Sequence, residues 1–375
     1  MRILHVCDSI VGGTGTYLGE LVAPQARLYG ANNIALLVPR EHAGHVDPRL
    51  IEAGVAIRYF RRLGRLSGMA ALMPAYRQAL AAARPDIVHA HSLGAGVVTR
   101  LLRGWGQRRP RVLHCPHGWA FDMESSPLQR ATAIALERLL ALRADRIAVI
   151  SHHEHMRARD IGIAEDKIVE IANGIALEAP IVTPAQWDDP RLKLLFVGRL
   201  DRQKGVDVLM QAVRPLIDRV SVRVAGAPVV TRQADSLAVP ANVEMLGWID
   251  RPGVMAQMYA CDALVVPSRW EGFGLVALEA MRIGKPVIAS AVGGLRDILG
   301  DGIHGITVPP GDPVALCATL ALLDRARLAD MATRGQRRFV TAFTAERMVA
   351  EMDAAYRDTL ADGETSRSRA ELWGN

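Results

Sequence analysis

The sequence predicts an α/β protein of two domains, each a doubly wound parallel sheet covered by helices. Three observations support this fold class. Short β-branched runs alternate with longer amphipathic stretches along the chain. The length of 375 residues exceeds what one hydrophobic core usually supports. Finally, the series of strands is interrupted at residues 173–190, a stretch with three prolines and an Asn-Gly turn that is typical of a linker.

Two series of apolar runs define the domains. The first lies in an N-terminal domain, residues 1–172, with strands at Arg2–Cys7, Asn33–Val38, Ile87–Ala90, Val112–Cys115, Arg146–Ile150 and Ile168–Ile171. The second lies in a C-terminal domain, residues 191–344, with strands at Leu192–Val197, Val220–Ala225, Val243–Leu246, Ala263–Val266, Pro286–Ala289 and Gly305–Val308. Near-continuous apolar character favours buried parallel strands in both. A helix at 345–360 would pack back onto the N-terminal domain, and the polar residues 361–375 are expected to form a mobile tail.

Composition argues for a cytoplasmic protein. The four cysteines are far apart and form no CxxC pair, which favours reduced thiols. No window of 18 apolar residues without a charge is present, and the N-terminus has the pattern of a strand instead of a signal peptide.

The net charge of +6 is concentrated in the first half of the chain. Between Arg58 and Arg111 there are eleven arginines and one acidic residue, Asp86. This region is either a solvated basic surface or a surface that attracts anionic lipids or a diphosphate-bearing acceptor. Arginines mixed with apolar residues at 58–66 and 101–111 favour peripheral binding to the inner face of the cytoplasmic membrane. Nucleic acid is not expected as a partner, since aromatic residues are sparse and no recognition motif is present.

The segment Ala263–Ser290 carries the main candidate site. A buried strand ends at a proline, a loop with Gly272 and Gly274 follows, and a helix then begins. Ligands bind at such strand-to-helix turns in open α/β sheets, where helix N–H groups favour phosphate. Glu279 could accept hydrogen bonds from a ribose diol, and Glu271 suits the hydroxyls of a sugar ring.

A second strand-to-helix turn lies in Phe196–Gly205. Its Arg199 and Lys204 are the side chains that a diphosphate requires, a planar fork and a compact charge. Their charges would stabilise a nucleoside diphosphate as a leaving group.

Together these residues resemble the family 4 retaining glycosyltransferases of GT-B fold. The resemblance covers residues 1–355 and rests on EGFGLVALEA (271–280), GRLDRQKG (198–205), PDIVHAH (85–91), HG (117–118), NGI (173–175) and GG (293–294). It implies two Rossmann-like domains facing across a cleft, the C-terminal one holding a nucleotide sugar such as a GDP- or UDP-sugar. The acceptor would be a saccharide or a lipid-linked molecule in the synthesis of cell-surface polysaccharide, exopolysaccharide or lipopolysaccharide.

The resemblance also implies residue roles. His117 would face the donor sugar at the reacting centre, and Gly12 and Gly13 would approach the donor phosphates. The backbone from Gly272 through Phe273 and Gly274 to Leu275 would bind sugar hydroxyls and phosphate, and Gly247-Trp248 would lie beside the nucleobase. Retention without an evident nucleophile favours a front-face reaction, in which the leaving diphosphate helps to deprotonate the acceptor hydroxyl. Because the chain contains no DxD motif, neither a metal nor another cofactor is expected.

The sequence also allows other interpretations. The histidines at 89 and 91, 114 and 117, and 152, 153 and 155 could share a zinc ion, but no cysteine is expected to be a close partner of any of them. The loop at residues 12–15 departs from the G-x-G-x-x-G of a dehydrogenase and has no acidic residue about 20 positions later to bind a ribose, and the G-x-S-x-G of a serine hydrolase is absent. A UDP-sugar epimerase of the same fold and a non-catalytic two-domain sugar binder remain as alternative functions. The epimerase would release a rearranged sugar without an acceptor.

Overall fold

The computed structural model describes residues 1–103, 109–227 and 238–372, with the backbone alone at 65, 66 and 363–372. The chain divides into two compact units. Unit 1 comprises Met1–Gly174 and Ala345–Asn375, and unit 2 comprises Ile175–Thr344. Among the helices searched, none is both long enough and apolar enough to cross a membrane.

Unit 1 contains a seven-stranded sheet, all of whose pairings are parallel over the described residues. The strands are β1 (Ile3–Cys7), β2 (Ile34–Pro39), β3 (Ala56–Phe60), β4 (Ile87–His91), β5 (Arg111–Cys115), β6 (Arg146–Val149) and β7 (Ile168–Glu170), in the order β3-β2-β1-β4-β5-β6-β7. The helices are α1 (Gly13–Tyr29), α2 (Pro48–Glu52), α3 (Arg65–Ala83), α4 (Ser92–Leu101), α5 (Pro127–Ala141), α6 (His152–Asp160) and, last in the chain, α13 (Ala345–Leu372).

Side chains alternate between the two faces of the sheet along β1 and β4, which explains why both faces are covered. Leu4, Val6, Val88 and Ala90 point to one face and form a core with α3 and α4. Residues one position along, including His5 and His89, point to the opposite face, on which α1 and α13 pack together. The central strands are therefore buried on both faces, as expected for a doubly wound sheet.

Unit 2 contains a six-stranded parallel sheet in the order β10-β9-β8-β11-β12-β13. Its strands are β8 (Leu192–Val197), β9 (Val220–Ala225), β10 (Val243–Gly247), β11 (Ala263–Val266), β12 (Val287–Ser290) and β13 (Ile306–Val308). Its helices are α7 (Val206–Val213), α8 (Arg251–Ala260), α9 (Leu275–Arg282), α10 (Gly293–Leu299), α11 (Pro313–Ala321) and α12 (Arg325–Ala342). The predicted fold class, two doubly wound parallel sheets with covering helices, is confirmed.

Two local expectations were wrong. The edge strand β3 was missed, and it includes Arg58, Tyr59 and Phe60, which had been assigned to a membrane-interface element. Phe60 is buried at 5% exposure in the core of unit 1. The last helix is longer than the predicted 345–360, since its backbone continues to Leu372 through most of the expected tail. The linker at 173–190 stays a prediction, and within it Trp187 is buried in unit 2, where its ring N–H donates to Ser221 at 3.1 Å.

Candidate functional site

The candidate site of unit 2 is formed by two loops at the centre of its sheet. Loop A, residues 198–205, follows β8, and loop B, residues 267–274, follows β11. These strands pair directly, with Ala263 opposite Leu194, and the order of the strands reverses between them. A crevice at the carboxyl ends of the strands, where the order reverses, is the general ligand site of open α/β sheets.

An ion pair joins the two loops. The Lys204 ammonium lies 2.5 Å from Oε2 of Glu271, and the Ser268 hydroxyl donates to the same oxygen at 3.2 Å. Both charged side chains are largely withdrawn from solvent, with exposed fractions of 20% and 11%. The sequence predicted both residues but assigned them to different parts of a ligand. Their direct contact is a new observation, because it depends on the adjacency of β8 and β11.

Arg199, the other predicted diphosphate ligand, lies on the same loop A and is half exposed. Its guanidinium donates to Gln203 at 2.6 Å and pairs with Asp201 at 3.2 Å. Gln203 in turn donates to the backbone carbonyl of Trp270 in loop B at 3.2 Å. The Gln203 side chain therefore holds loop A against loop B, whereas Arg199 remains half exposed.

Two glycines allow this close approach. Gly205 ends loop A at φ +67°, and a Cβ atom there would lie 2.0 Å from the carbonyl oxygen of Pro267. Gly293, at the start of α10, has φ +48°, and its Cβ would lie 1.8 Å from the carbonyl oxygen of Glu271. In the sequence, Gly293 and Gly294 are only one of the motifs that carry the family resemblance, and no structural role was predicted for them. The structure shows that Gly293 supports the backbone of Glu271.

Helix α9 begins at Leu275 directly after Gly274, which adopts φ +101°. Phe273 is buried at 4% exposure and packs edge-on against Phe343 at 6.0 Å between ring centroids, so its ring belongs to the core. The backbone N–H groups of the first turn of α9 remain the polar groups that this segment can present to an anion.

Glu279 lies on α9, one turn beyond this beginning. Its side chain is 16% exposed and pairs with Arg251 at 3.3 Å, a residue at the start of α8 that the sequence did not single out. Trp248, expected beside a nucleobase, lies just after β10 and is 74% exposed.

Unit 1 places its predicted residues after β1 and β5. Gly12 has φ +78° and immediately precedes α1, whose first residue is Gly13. His117 has φ +53°, which is strained for a residue with a Cβ, and Gly118 follows at φ +104°. The strain is compensated by buried Glu154, which accepts from the Gly118 N–H at 2.5 Å. Glu154 was not predicted, and nothing in its sequence context indicates the role.

A hydrogen-bonded chain of histidines leads from His117 into the core. His117 Nε2 lies 3.0 Å from His91 Nδ1, and His91 Nε2 lies 3.1 Å from His5 Nδ1. His5 Nε2 lies 2.8 Å from Oε1 of Gln25 on α1. Burial lowers the pKa of His5 to about 4 and that of His117 to about 3. Burial and neighbouring rings also hold the pKa of His91 well below its usual range, so the three rings are neutral at pH 7.

The expectation that no cysteine is a close partner of these histidines is wrong, because the register of the strands brings Cys115 beside them. Cys115 pairs with His91 across β4 and β5, and potential ligand atoms of His91, Cys115 and His117 lie within 4.8 Å of one another. However, the ring nitrogens of His91 that face His5 and His117 are engaged in hydrogen bonds. Burial also raises the pKa of the Cys115 thiol, which disfavours the thiolate that a metal would bind. That no metal is needed stays a prediction.

Comparisons with known proteins agree with this architecture. Residues 182–338 match the family described as glycosyl transferases group 1, and residues 12–174 match the glycosyl transferase 4-like domain. The D-inositol 3-phosphate glycosyltransferase of Geodermatophilus obscurus is 33% identical over 305 residues, covering 72% of this chain and 66% of that protein. An uncharacterized 41.2 kDa protein in the cps region of Klebsiella pneumoniae is 29% identical over 82% of this chain and 86% of its own length.

Among solved structures, HepE of Anabaena in complex with UDP-glucose has a TM-score of 0.76. It is 21% identical, and the match covers 96% of this chain and 100% of that chain. The shared fold is GT-B, which has two parallel-sheet domains. With one family match on each unit, this chain belongs to the group 1 glycosyltransferases.

Proposed function

We propose that this glycosyltransferase transfers a sugar, with retention of configuration and without a metal, from a nucleoside-diphosphate sugar to a hydroxyl acceptor. The observation that carries the proposal is the Lys204–Glu271 pair, which joins loops A and B where the strand order of unit 2 reverses. A cation and a carboxylate at one such point match the two halves of the ligand, a diphosphate and a sugar bearing hydroxyl groups.

The assignment of roles follows from charge and position. Lys204 and Arg199 would bind the diphosphate, in place of a metal ion, and the N–H groups at the start of α9 would assist them. Glu271 would accept hydrogen bonds from sugar hydroxyls, and Glu279 from the ribose. Donor binding would exchange the Lys204–Glu271 contact for a Lys204–phosphate contact and so release the carboxylate for the sugar.

Unit 1 would contribute His117 to the reacting sugar, Gly12 and Gly13 to the donor phosphates, and the acceptor site. With its pKa lowered to about 3, His117 would act as a neutral hydrogen-bonding group. The leaving diphosphate would take part in deprotonating the acceptor hydroxyl, in a front-face reaction.

The donor base and the acceptor are proposed from the relatives. The structure of HepE contains UDP-glucose, which favours a UDP-sugar over a GDP-sugar as the first donor to test. The Klebsiella relative is described as lying in a cps region, which favours a saccharide or lipid-linked acceptor in cell-surface polysaccharide synthesis.

A thermal-shift panel with UDP, GDP, ADP and their sugars tests the donor. A ligand at 100 times its Kd stabilises the folded state by roughly 2.7 kcal/mol, so the matching nucleotide should raise Tm without added metal. The donor so identified is then incubated with and without saccharide and lipid-linked acceptors, and the anomeric configuration of the product is read by NMR. A rearranged free sugar without acceptor would indicate the epimerase instead, and inversion would overturn the retaining assignment.

We also propose a peripheral membrane surface on unit 1. Arg58, Tyr59, Arg61 and Leu63 are exposed at and after the edge strand β3, and the side chain of Leu63 is 76% exposed. Cationic side chains beside an exposed apolar one are the combination that binds an anionic bilayer surface. In the other part of the predicted surface, residues 101–111, Arg103 and Arg111 pair with Asp145, so they are not free to bind a bilayer. Residues 104–108 and the Arg65 side chain lie outside what the structure describes.

A further inference from the structure

The chain from His117 to Gln25 contains three neutral rings joined end to end. His117 bonds to His91, His91 to His5, and His5 to Gln25, at 3.0, 3.1 and 2.8 Å between the bonded atoms. His5 and His91 are 0% exposed and Gln25 is 1% exposed, whereas His117 is partly exposed. The chain therefore has one end in the core and one end that a substrate can reach.

A neutral imidazole carries one N–H donor and one lone-pair acceptor. Each ring that receives a hydrogen bond on one nitrogen must therefore donate from the other. Three neutral rings in series can be arranged in only two ways, with all donors pointing toward Gln25 or all pointing toward His117. The group at the buried end selects between these two arrangements.

The amide of Gln25 is held at both of its polar atoms. Its Oε1 faces His5 Nε2 at 2.8 Å, and its Nε2 donates to the Tyr356 hydroxyl at 3.4 Å. Tyr356 is 0% exposed, and its hydroxyl lies 2.7 Å from His89 Nδ1, to which it can donate. Because an amide oxygen only accepts, His5 must donate from Nε2, His91 from Nε2, and His117 from Nε2.

We propose that Gln25 is a positioning residue that fixes, through His5 and His91, the tautomer of His117 in which Nδ1 carries the lone pair. The three rings have six nitrogens, and His117 Nδ1 is the one that forms no hydrogen bond with the described residues. In this tautomer His117 accepts a hydrogen bond from a substrate hydroxyl, whereas the opposite tautomer would donate one. This role for His117 rests on the proposed function, but its tautomer does not.

The tautomer can be measured directly in the full-length protein. Long-range ¹H–¹⁵N spectra of protein labelled at histidine separate protonated from bare ring nitrogens, and a His117→Gln variant identifies the His117 signals among the eleven histidines. At pH 7.5 we expect Nε2 of His117 to be protonated and Nδ1 to be bare. A protonated Nδ1 in the wild-type protein would overturn the proposal.

Variants of Gln25 test its control of the chain. Gln25→Met has a similar volume but no acceptor, so the His117 signals should move toward the opposite tautomer or to the average of the two. Gln25→Glu should keep the wild-type pattern, because a carboxylate oxygen also accepts from His5. Val22→Ala, a buried change on the same helix α1 without a polar group, should keep it too. Unchanged His117 signals in Gln25→Met would refute the control by Gln25.

The two hypotheses fail separately. If His117→Ala retains full transfer activity, His117 has no part in the reaction, although the spectra can still show one fixed tautomer. If transfer is lost in His117→Ala but the wild-type spectrum shows a protonated Nδ1, the proposed function stands and the tautomer assignment is wrong. If Gln25→Met fails to fold, the wild-type spectrum together with Gln25→Glu still decides the direction.

Discussion

Lys204 and Glu271 neutralise each other across loops A and B, so removing one should have an effect opposite to removing the other. Lys204→Met should weaken UDP binding about 10- to 100-fold, since a hydrogen bond to a charged group contributes about 1.5–3 kcal/mol. Glu271→Gln should keep or tighten UDP binding, because it frees the ammonium, while sugar transfer is lost. Isothermal titration with UDP and a transfer assay measure both effects.

The matched control for these variants is Arg327→Met, an exposed cation on α12 of the same unit. It should change neither UDP affinity nor transfer. Equal weakening of UDP binding by Lys204→Met and Glu271→Gln would contradict the proposed exchange of partners.

The buried histidines should make the stability of unit 1 depend on pH. Burial lowers the pKa of His5 from 6.5 to about 4 and holds that of His114 well below the usual range. Between about pH 6.5 and pH 4 the unfolded chain therefore binds more protons than the folded unit, and stability falls as the pH falls. His114→Leu should reduce the loss between pH 7.5 and pH 5 by about 2 kcal/mol, the contribution of one such histidine.

Denaturant unfolding at the two pH values measures this difference. The exposed His45 offers the control, and His45→Gln should leave the pH dependence as in the wild type. A His114→Leu variant with the full wild-type loss would show that this ring is not kept neutral by burial.

At the scale of residues, the sequence indicates which residue types and which loops form the candidate site of unit 2. It does not indicate with which side chains those residues pair. Arg199, Lys204, Glu271 and Glu279 are recognisable because each lies in a strand-to-helix turn or just beyond it. Pairing partners such as Arg251 come from a distant helix and depend on how elements pack. The histidine chain was missed for the same reason, since it requires the register of three neighbouring strands and one helix.

Among the elements, α10 shows how one glycine can hold a loop of the candidate site in place. Gly293→Ala should destabilise unit 2 and displace Glu271, because the new Cβ would lie 1.8 Å from the Glu271 carbonyl oxygen. Backbone strain at such positions is of the order of 1–3 kcal/mol, and the steric conflict adds to it. We expect a lower Tm and a loss of the UDP-induced shift in thermal-shift measurements.

Gly311→Ala separates the two causes. Gly311 also has positive φ, +72°, but its nearest neighbouring atom would lie 3.9 Å from a Cβ. Gly311→Ala should introduce the backbone strain without the steric conflict, so the decrease in Tm should be smaller and the UDP-induced shift should be normal. If both variants behave alike, the close approach to Glu271 has no importance for the site.

The edge strand β3 shows why a charged segment can be misread. Its burial pattern leaves Arg58 and Tyr59 exposed and only Phe60 fully buried, which hides the periodicity of a strand. Its strand geometry does not remove the membrane hypothesis, since an edge strand can present the same side chains to a bilayer.

Co-sedimentation with vesicles containing phosphatidylglycerol tests that surface. The double variant Arg58→Ser with Arg61→Ser should bind less, and Leu63→Ser should weaken binding at high salt, where the apolar contribution remains. The control is a double variant on α12 of unit 2, Arg334→Ser with Arg337→Ser. The membrane proposal would be refuted if the variants co-sedimented with vesicles as well as the wild-type protein, or if the wild-type protein did not co-sediment at all.

For the whole molecule, the two units have separate cores and should respond separately to mutation. Tyr356 on α13 is 0% exposed within unit 1. Tyr356→Ala should lower the stability of unit 1 by about 3–5 kcal/mol, the usual cost of removing a buried aromatic ring. Calorimetry should then show a lower transition for unit 1, while UDP still stabilises unit 2. Asp358→Ala, an exposed neighbour on the same helix, should leave both transitions unchanged.

The overall organisation was the most predictable property, since alternating apolar runs specify parallel sheets without any knowledge of side-chain contacts. The final helix shows the limit of that reasoning. Its polar C-terminal residues gave no sign of continuing a helix, whereas the backbone remains helical to Leu372.

Unit 2 is one uninterrupted stretch of chain, and its two ends meet. The Ile175 N–H donates to the Phe343 carbonyl at 3.1 Å, and Ile175 bridges Thr344. Unit 1, in contrast, is completed only by α13, which follows unit 2 in the chain. On the ribosome, unit 2 can therefore finish folding while unit 1 still awaits α13. The same junction makes residues 175–344 a cassette that evolution, or an engineer, can exchange between relatives by two cuts at adjacent points.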